Sequence, residues 1–304
     1  MSDAPEGPLV VTPGPLLGVD DPEDPRLDLY RDLNDPAGRI RLDADRSVFV
    51  VEGRLAVERL LTSGYTVRSL LVDDHQVTAA SGLVAATRAR GAPVFVGSRP
   101  VVAATVGFAL HRGVVAVANR PSPADPGRLL ADATGVPLPG GAPRLVAILE
   151  GLNDHENIGS LFRNAAAFGV AGVLLDPTCA DPLYRRSIRV SVGHVLHMPF
   201  ARLAPWPAGL GQARAAGFVV AAMVPRPAVH RGVSTVGLSE LGALVSGSRR
   251  PAGVALLLGA EGPGLTETAL AAADVVVSIP MADGVDSLNV ATAAAVAFHA
   301  LAGG

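Results

Sequence analysis

The 304 residues are 49% hydrophobic and 17% charged, which excludes an intrinsically disordered chain and suits one large or two medium domains. No apolar run reaches the ~20 residues of a membrane span, no leader-like segment opens the sequence, and the single Cys179 excludes an internal disulfide, so we expect a cytoplasmic protein without a membrane anchor. The formal net charge is −3, but residues 26–120 carry 13 arginines against nine acidic residues, which makes this segment the best suited to a polyanion.

The N-terminal part of the chain divides into two regions by composition. Residues 1–25 are rich in proline, with six acidic residues, no basic one and no hydrophobic period, which predicts a flexible tail. From residue 47 short apolar strands alternate with helical patterns, so we expect a small α/β domain over 26–120. Strands are predicted at 47–53, 67–74, 92–98 and 113–120, and helices at 56–64 and 81–91.

Residues 121–143 are dense in proline and glycine and hold at most one helical turn, so we interpret them as an interdomain linker. Six runs that are apolar almost throughout follow, at 145–150, 169–176, 193–200, 217–224, 252–259 and 273–280. Such runs are typical of parallel strands buried on both faces. Helices are predicted between them at 158–168, 182–190, 207–215, 239–245 and 266–272, and from residue 287 onward. The segment 144–304 is therefore predicted to be an α/β domain with about six parallel strands.

The first segment with candidate functional residues lies at the junction of a predicted strand and helix, around residues 150–168. Asn157 can cap the helix, Gly159 allows a close backbone approach, and Arg163 lies one helical turn after that glycine. A helix N-terminus beside an arginine can bind a nucleic-acid phosphate. An ordinary capped helix with a solvent-facing arginine is the alternative interpretation.

The second segment places glycines 259, 262 and 264 between a buried strand and a helix. Glycines in such a loop let backbone amides approach a flat or charged ligand. Their order, G-x-x-G-x-G, differs from the dinucleotide fingerprint, and the loop lacks the Lys-Ser/Thr pair of a P-loop. A tight turn containing Pro263 is the alternative.

The third segment begins where a predicted strand ends at Ile279 and Pro280. A polar loop follows, and Ser287, Leu288 and Asn289 then open a long alanine-rich helix. A helix cap accounts for Ser287. It accounts less well for Asn289, because asparagine is unfavourable in the first helical turns unless its side chain has a partner.

Together the three segments resemble the SpoU/TrmH branch of the SPOUT RNA methyltransferases. The matching motifs are N-I-G-x-x-x-R at 157–163, G-A-E-G-x-G-L at 259–265, I-P-M at 279–281, S-L-N-V-A at 287–291 and R-x-S-x-G at 189–193. The resemblance covers about 144–304. More loosely, F-V-V-E-G at 49–53 and H-R-G-V-V-A at 111–116 are similar to the ribosomal-protein-like RNA-binding domain that many members carry. The acidic tail and the long linker depart from the family pattern.

This resemblance implies an α/β fold with a parallel sheet, in which the C-terminal part of the chain is threaded into a trefoil knot. It implies S-adenosylmethionine as cofactor, held by knot loops at 258–265, 278–283 and 286–290. The implied cofactor-binding residues are Leu258, Gly259, Ala260, Gly262, Gly264, Ile279, Met281, Ser287 and Leu288. It also implies a homodimer whose active site borrows residues across the interface.

The implied reaction transfers a methyl group to a ribose 2′-hydroxyl in RNA. The implied catalytic residues are Arg163, Asn157, Asn289, Glu261 and Ser287. In the family, the matching arginine is proposed as the base once a substrate phosphate engages it, but the high pKa of a guanidinium favours Arg163 as a phosphate clamp that orients the hydroxyl. We expect Glu261 to fix the knot loop or Asn157 by hydrogen bonding, and a role as direct base stays open.

The remaining reactive side chains are given structural or surface roles. His194 and His197 lie in a predicted strand at odd spacing, so they should point to opposite faces, and no metal site is predicted. Cys179 is interpreted as a small inert residue. Arg185, Arg186 and Arg189 either contact RNA or the dimer partner or form a solvated helix face.

The two-domain organisation favours ribosomal RNA over transfer RNA as substrate. One alternative is a non-catalytic RNA-binding or assembly protein on the same fold, against which Asn157, Arg163 and Asn289 argue. A second is another α/β enzyme that binds a nucleotide at 259–264. The absence of a fingerprint acid ~20 residues after that loop weakens this alternative.

Overall fold

The computed structural model describes residues 12–31, 33, 47–110, 113–134, 144–225, 235–245 and 251–302. The chain divides into two compact units, Met1–Pro121 and Ser122–Gly304, each with its own sheet. Among the described residues no helix combines the length and the apolar character that a membrane span requires.

The first unit contains a five-stranded sheet in the order β1-β4-β3-β5-β2. Its strands are β1 (Leu16–Val19), β2 (Val48–Glu52), β3 (Val67–Asp73), β4 (Val94–Gly97) and β5 (Val114–Asn119). Strands β1, β4 and β3 run parallel, whereas β5 is antiparallel to both β3 and β2. The helices are α1 (Arg54–Thr62), α2 (Ser81–Ala89) and α3 (Arg99–Val106), of which the sequence analysis missed α3. Of the loosely matched segment 111–116, the first two residues lie outside the described part of the chain.

The prediction of a flexible tail over 1–25 is wrong for its second half. Residues Leu16–Val19 form β1, which pairs with β4, and the Gly14 backbone N–H donates to the carbonyl of Arg88 at 2.7 Å. Val19 is 1% exposed, and a 3-10 turn over Pro25–Tyr30 follows. Residues 1–11 lie outside the described part of the chain. The acidic and proline-rich surroundings conceal a strand of only four residues.

The second unit contains a seven-stranded sheet, parallel throughout, in the order β10-β12-β9-β11-β6-β7-β8. Its strands are β6 (Arg144–Glu150), β7 (Gly172–Leu175), β8 (Phe200–Arg202), β9 (Phe218–Val224), β10 (Thr235–Gly237), β11 (Gly253–Gly259) and β12 (Val275–Ser278). The parallel sheet predicted from the apolar runs is confirmed, and the short β10 is a seventh strand that the runs did not indicate.

Helices in the second unit cover both faces of this sheet. They are α4 (Pro126–Thr134), α5 (His155–Ala167), α6 (Arg185–Val190), α7 (Leu210–Ala215), α8 (Leu238–Val245), α9 (Glu267–Ala271) and α10 (Val290–Leu301). Val146 and Ile148 of β6 belong to a core cluster with residues of α4, α7 and α9. Leu145 and Leu149 alternate with them, point to the opposite face and are also at most 2% exposed.

The linker interpretation of 121–143 is wrong for the segment that forms α4. Leu129, Leu130 and Ala133 are buried in the core cluster of the second unit. A Cβ at Gly172 would lie 2.8 Å from Leu129 Cδ2, so α4 packs directly on β7. Residues 135–143 lie outside the described part of the chain. Flanking prolines and glycines hid an amphipathic helix whose apolar residues recur one turn apart.

The predicted strand over 193–200 is also wrong in most of its length. His194–Leu196 form a 3-10 turn that follows Gly193 in the left-handed region at φ 82°, and β8 begins only at Phe200. The two histidines therefore do not alternate along a strand. Within the described ranges, no group of three or more His, Cys, Asp or Glu side chains is arranged to hold a metal ion.

The topology defines where loops of the second unit converge. Strands β6 and β11 are neighbours in the sheet. From β6 the chain continues to β7, towards one edge of the sheet, whereas from β11 it continues to β12, towards the opposite edge. A parallel sheet binds ligands at such a switch point, beyond the carboxyl ends of its strands. Strands β11 and β12 are each inserted between strands that precede them, an order consistent with the predicted threading.

Candidate functional site

The first turn of α5 begins three residues earlier than the sequence pattern indicated. Asp154 is its N-cap, and the Asp154 carboxylate accepts from the backbone N–H of Glu156 at 2.7 Å. The prediction that Asn157 caps this helix is therefore wrong. Since the capping is done by Asp154, the side chain of Asn157 is available for contacts outside its own helix.

Asn157, Glu261 and Asn289 meet in one hydrogen-bonded cluster, which we call the three-motif junction because each residue comes from a different motif. Asn289 Nδ2 donates to Asn157 Oδ1 at 2.9 Å and to Glu261 Oε1 at 2.5 Å. The backbone N–H of Val290 also donates to Glu261 Oε1, at 3.3 Å. Glu261 thus binds Asn289 rather than Asn157 directly, and the first turn of α5, the glycine-rich loop and the start of α10 are fixed to one another.

Asn289 has a second role as the N-cap of α10. Its Oδ1 accepts from the backbone N–H groups of Ala291 at 3.0 Å and Thr292 at 3.1 Å. This explains why an asparagine stands at the start of a helix, because both ends of its amide have partners. Ser287, to which the sequence analysis gave the cap, lies exposed in the preceding loop and forms no hydrogen bond with the described residues.

The glycine-rich loop after β11 folds back tightly on the end of its strand. A Cβ at Gly259 would lie 2.5 Å from both Gly264 C and Leu265 N, so only glycine fits there without moving the backbone. The Gly264 N–H donates to the Ala260 carbonyl at 3.0 Å, and Gly262 and Gly264 adopt left-handed φ values of 85° and 69°. The three glycines are therefore required by the conformation of the loop.

The loop after β12 presents apolar side chains at the same edge of the sheet. Ile279 and Met281 are half-buried, whereas Val285 and Leu288 are 41% and 37% exposed. Large exposed apolar side chains are few among the described residues, and two lie in this one loop. Leu258, by contrast, is 1% exposed within the sheet, so its side chain is not accessible to a ligand.

Arg163 forms no hydrogen bond with the residues of the three-motif junction. Arg163 follows Asn157 by six residues, about 240° around an α-helix, and is exposed. Its guanidinium forms no hydrogen bond or ion pair with any residue that the structure describes. Gly159, one turn earlier, serves helix packing, because a Cβ there would lie 2.6 Å from the carbonyl oxygen of Ser187.

Two buried carboxylates near this edge were missed by the sequence analysis. Glu150, 4% exposed, accepts from Trp206 Nε1 at 2.6 Å and from the backbone N–H and hydroxyl of Thr266 at 2.9 and 2.7 Å. Asp176, 3% exposed, accepts from the backbone N–H groups of Gly151 and Cys179 at 3.1 and 2.8 Å. The signal that could have revealed them is an acidic residue that ends an otherwise apolar strand.

The other reactive side chains in this unit are engaged in local contacts. Arg186 Nε donates to Glu156 Oε1 at 3.0 Å and links α6 to the start of α5, while Arg185 and Arg189 also have partners. Burial, assisted by the nearby Asp176 carboxylate, raises the pKa of the Cys179 thiol to about 12. That thiol is unsuited to nucleophilic chemistry at neutral pH.

The fold and these loops define an α/β protein with a candidate ligand site at the carboxyl edge of a parallel sheet, at a topological switch point. The model of the SpoU rRNA methylase family matches residues 144–299, and the chain belongs to this family. It is therefore an RNA methyltransferase with S-adenosylmethionine as cofactor, and the predicted family, fold class and cofactor are confirmed.

Relatives and solved structures agree with this assignment. A protein of Mycobacterium tuberculosis strain H37Rv named "Uncharacterized tRNA/rRNA methyltransferase" is 45% identical over 281 residues, which cover 92% of this chain and 90% of the relative. An S-adenosylmethionine-bound rRNA methyltransferase from Sinorhizobium meliloti superposes with a TM-score of 0.73 at 26% identity, covering 94% and 97% of the two chains. The SpoU methyltransferase AviRb from Streptomyces viridochromogenes, also solved with this cofactor, shares the fold, with a TM-score of 0.70 at 24% identity and coverage of 92% and 98%.

Proposed function

We propose that this protein methylates a ribose 2′-hydroxyl in RNA, and that its substrate is ribosomal rather than transfer RNA. The observation that carries the proposal is the three-motif junction, in which Asn157, Glu261 and Asn289 from distant motifs are hydrogen-bonded to one another. The choice of ribosomal RNA is supported by the similarity to the Sinorhizobium meliloti enzyme, which is named an rRNA methyltransferase. RNA binding by the first unit and a cytoplasmic location stay predictions.

The loops after β11 and β12 have the surfaces that S-adenosylmethionine requires. Half-buried Ile279 and Met281, with exposed Leu288, offer apolar contacts to a flat adenine ring. The glycines of the loop have no side chain of their own over their backbone groups, which can therefore contact the cofactor, and Ser287 adds a hydroxyl. The backbone, and not the side chain, of Leu258 would contribute. When bound, the cofactor supplies a methyl group activated by a sulfonium.

In this proposal Arg163 binds a phosphate of the RNA and orients the ribose hydroxyl. Its exposed guanidinium has no partner among the described residues, so its donors are available to a planar anion. A guanidinium stays protonated at neutral pH, which argues against Arg163 as the base. Glu261 uses Oε1 for both described hydrogen bonds, so its Oε2 is available to accept the hydroxyl proton, which keeps that alternative open.

Methylation of purified RNA tests the proposed reaction. The protein is incubated with radiolabelled S-adenosylmethionine and either ribosomal RNA or transfer RNA, and the product is hydrolysed with alkali. A ribose 2′-O-methyl group blocks cleavage of the next phosphodiester, so we expect label in alkali-resistant dinucleotides from ribosomal RNA. Label in mononucleotides would indicate base methylation instead, and label only in transfer RNA would contradict the proposed substrate.

We further propose that the protein is a homodimer that uses α10 as part of its interface. This alanine-rich helix packs on α5, where Asn164 Nδ2 donates to the Ala291 carbonyl at 2.8 Å, yet it leaves Val296 40% exposed. Sedimentation should show about twice the chain mass of 30.9 kDa. Val296→Glu should shift the population towards monomer, because a charge in an apolar interface is costly. A fully active monomer at micromolar concentration would contradict the proposal.

A further inference from the structure

The geometry points to Glu150 as a positioning residue that holds the glycine loop, residues 260–265, in its cofactor-binding conformation. Glu150 ends β6 directly beside Gly259, its register partner at the end of β11. The glycine loop therefore starts next to the backbone of Glu150. It is followed directly by Thr266, whose N–H and hydroxyl both donate to the Glu150 carboxylate at 2.9 and 2.7 Å. Both ends of the loop are thus fixed to a single residue.

The hydrogen bonds of this carboxylate explain why it is found inside the protein. Glu150 is only 4% exposed, and a buried carboxylate without partners would be strongly unfavourable. Two bonds come from Thr266, and the third comes from Trp206 Nε1 at 2.6 Å. A carboxylate accepts hydrogen bonds and donates none, so it suits a position where three donors converge.

The hydrogen bonds between Thr266 and Glu150 position the start of the next helix as well as the end of the loop. Its hydroxyl oxygen also accepts from the backbone N–H of Ala269 at 3.2 Å, which makes Thr266 the N-cap of α9. The loop between Gly259 and Thr266 carries Glu261, which belongs to the three-motif junction. Loss of the Glu150 contact should therefore loosen the glycine loop, although Glu150 itself touches neither cofactor nor RNA in this scheme.

This inference rests on the proposed cofactor site, and two substitutions of Glu150 test it. Glu150→Met keeps the length of the side chain but accepts none of the three hydrogen bonds. Glu150→Gln is isosteric, but its NH₂ group must face the N–H of either Thr266 or Trp206. Because unpaired buried donors make the ordered loop less favourable relative to looser conformations, we expect S-adenosylmethionine affinity to fall about 10-fold or more in Glu150→Met and by a smaller factor in Glu150→Gln.

Two control variants separate this effect from general destabilisation. Trp206→Phe removes the one hydrogen bond to Glu150 that does not lead to the loop. Asp176→Asn weakens an equally buried carboxylate, which is 3% exposed and does not bind the glycine loop. Both should retain S-adenosylmethionine affinity within about threefold, even if their melting temperatures fall as far as those of the Glu150 variants.

Isothermal titration with S-adenosylmethionine and amide hydrogen exchange of the cofactor-free protein are the two measurements. The inference predicts weaker binding and faster exchange confined to residues 260–269, which comprise the loop and the first turn of α9, in the Glu150 variants. A folded Glu150→Met that binds within twofold of wild type, with unchanged exchange, would overturn it. If Glu150→Met does not fold, Glu150→Gln decides by the same two measurements. The proposed cofactor site itself fails only if substitution of Gly259 also leaves binding unchanged.

Discussion

Arg163→Ala is expected to reduce RNA methylation by roughly 10²-fold or more, while S-adenosylmethionine affinity stays within a few fold of wild type. The structure leaves this guanidinium exposed and without a partner among the described residues, so its removal should not disturb the fold or the glycine loop. The loss should therefore appear in turnover on RNA. Steady-state methyl transfer and a separate cofactor titration measure the two quantities.

Arg163→Lys distinguishes bidentate phosphate binding from simple charge neutralisation. An ammonium cannot reproduce the planar fork of a guanidinium, so we expect this variant to recover little of the lost turnover. Arg128→Ala is the matched control, since Arg128 is an arginine of the same unit whose side chain is 83% exposed. It should methylate RNA like wild type. Near-normal turnover in Arg163→Lys would contradict the bidentate account, and full turnover in Arg163→Ala would make Arg163 an ordinary surface residue.

Gly259→Ala is expected to weaken S-adenosylmethionine binding by roughly 10- to 100-fold. A methyl group at this position would lie 2.5 Å from Gly264 C and Leu265 N, and 2.8 Å from the Gly264 carbonyl oxygen. All three are backbone atoms, so relief requires displacement of the loop itself and not the rotation of a side chain. Calorimetric titration of the cofactor measures the change.

Two other glycines calibrate this experiment. In Gly262→Ala the new methyl group has open space around it, but the left-handed φ of 85° imposes a strain of about 1–2 kcal/mol. We therefore expect a smaller loss of S-adenosylmethionine affinity than in Gly259→Ala. Gly211→Ala, in α7, has neither a close neighbour nor a positive φ, and should be neutral or slightly stabilising. Normal cofactor binding by a folded Gly259→Ala would show that the glycine loop is not part of the cofactor site.

The residues of the three-motif junction could be predicted from the sequence, but their contacts could not. The resemblance assigned Asn157, Glu261 and Asn289 to one site, and the poor fit of Asn289 to a helix start indicated that it needed a partner. The partners lie 132 and 28 residues away along the chain. They meet because parallel strands bring the loops at their carboxyl ends to one edge, which local patterns do not reveal.

The errors arose where a short element is stabilised by distant residues. Strand β1 has four residues, and its partner β4 begins 78 residues later, at Val94. Helix α4 is flanked by proline and glycine, and it is buried against residues far away in the chain, such as Gly172 of β7, which leaves room for Leu129. The same reason applies to Glu150, whose hydrogen-bond partner Thr266 is 116 residues away.

The sequence by itself determined the α/β class and the buried parallel sheet, which follow from hydrophobic periodicity. It also determined the family, through a resemblance carried by motifs that are contiguous in the chain, and the resemblance implied the cofactor. Only the tertiary structure decided that Asn289 and not Ser287 caps α10, why Gly259 must be glycine, and which carboxylates hold the loops. Each of these depends on atoms brought within hydrogen-bonding or contact distance by strand order. Local propensity carries no information about such distances, because they are set by the packing of the whole sheet.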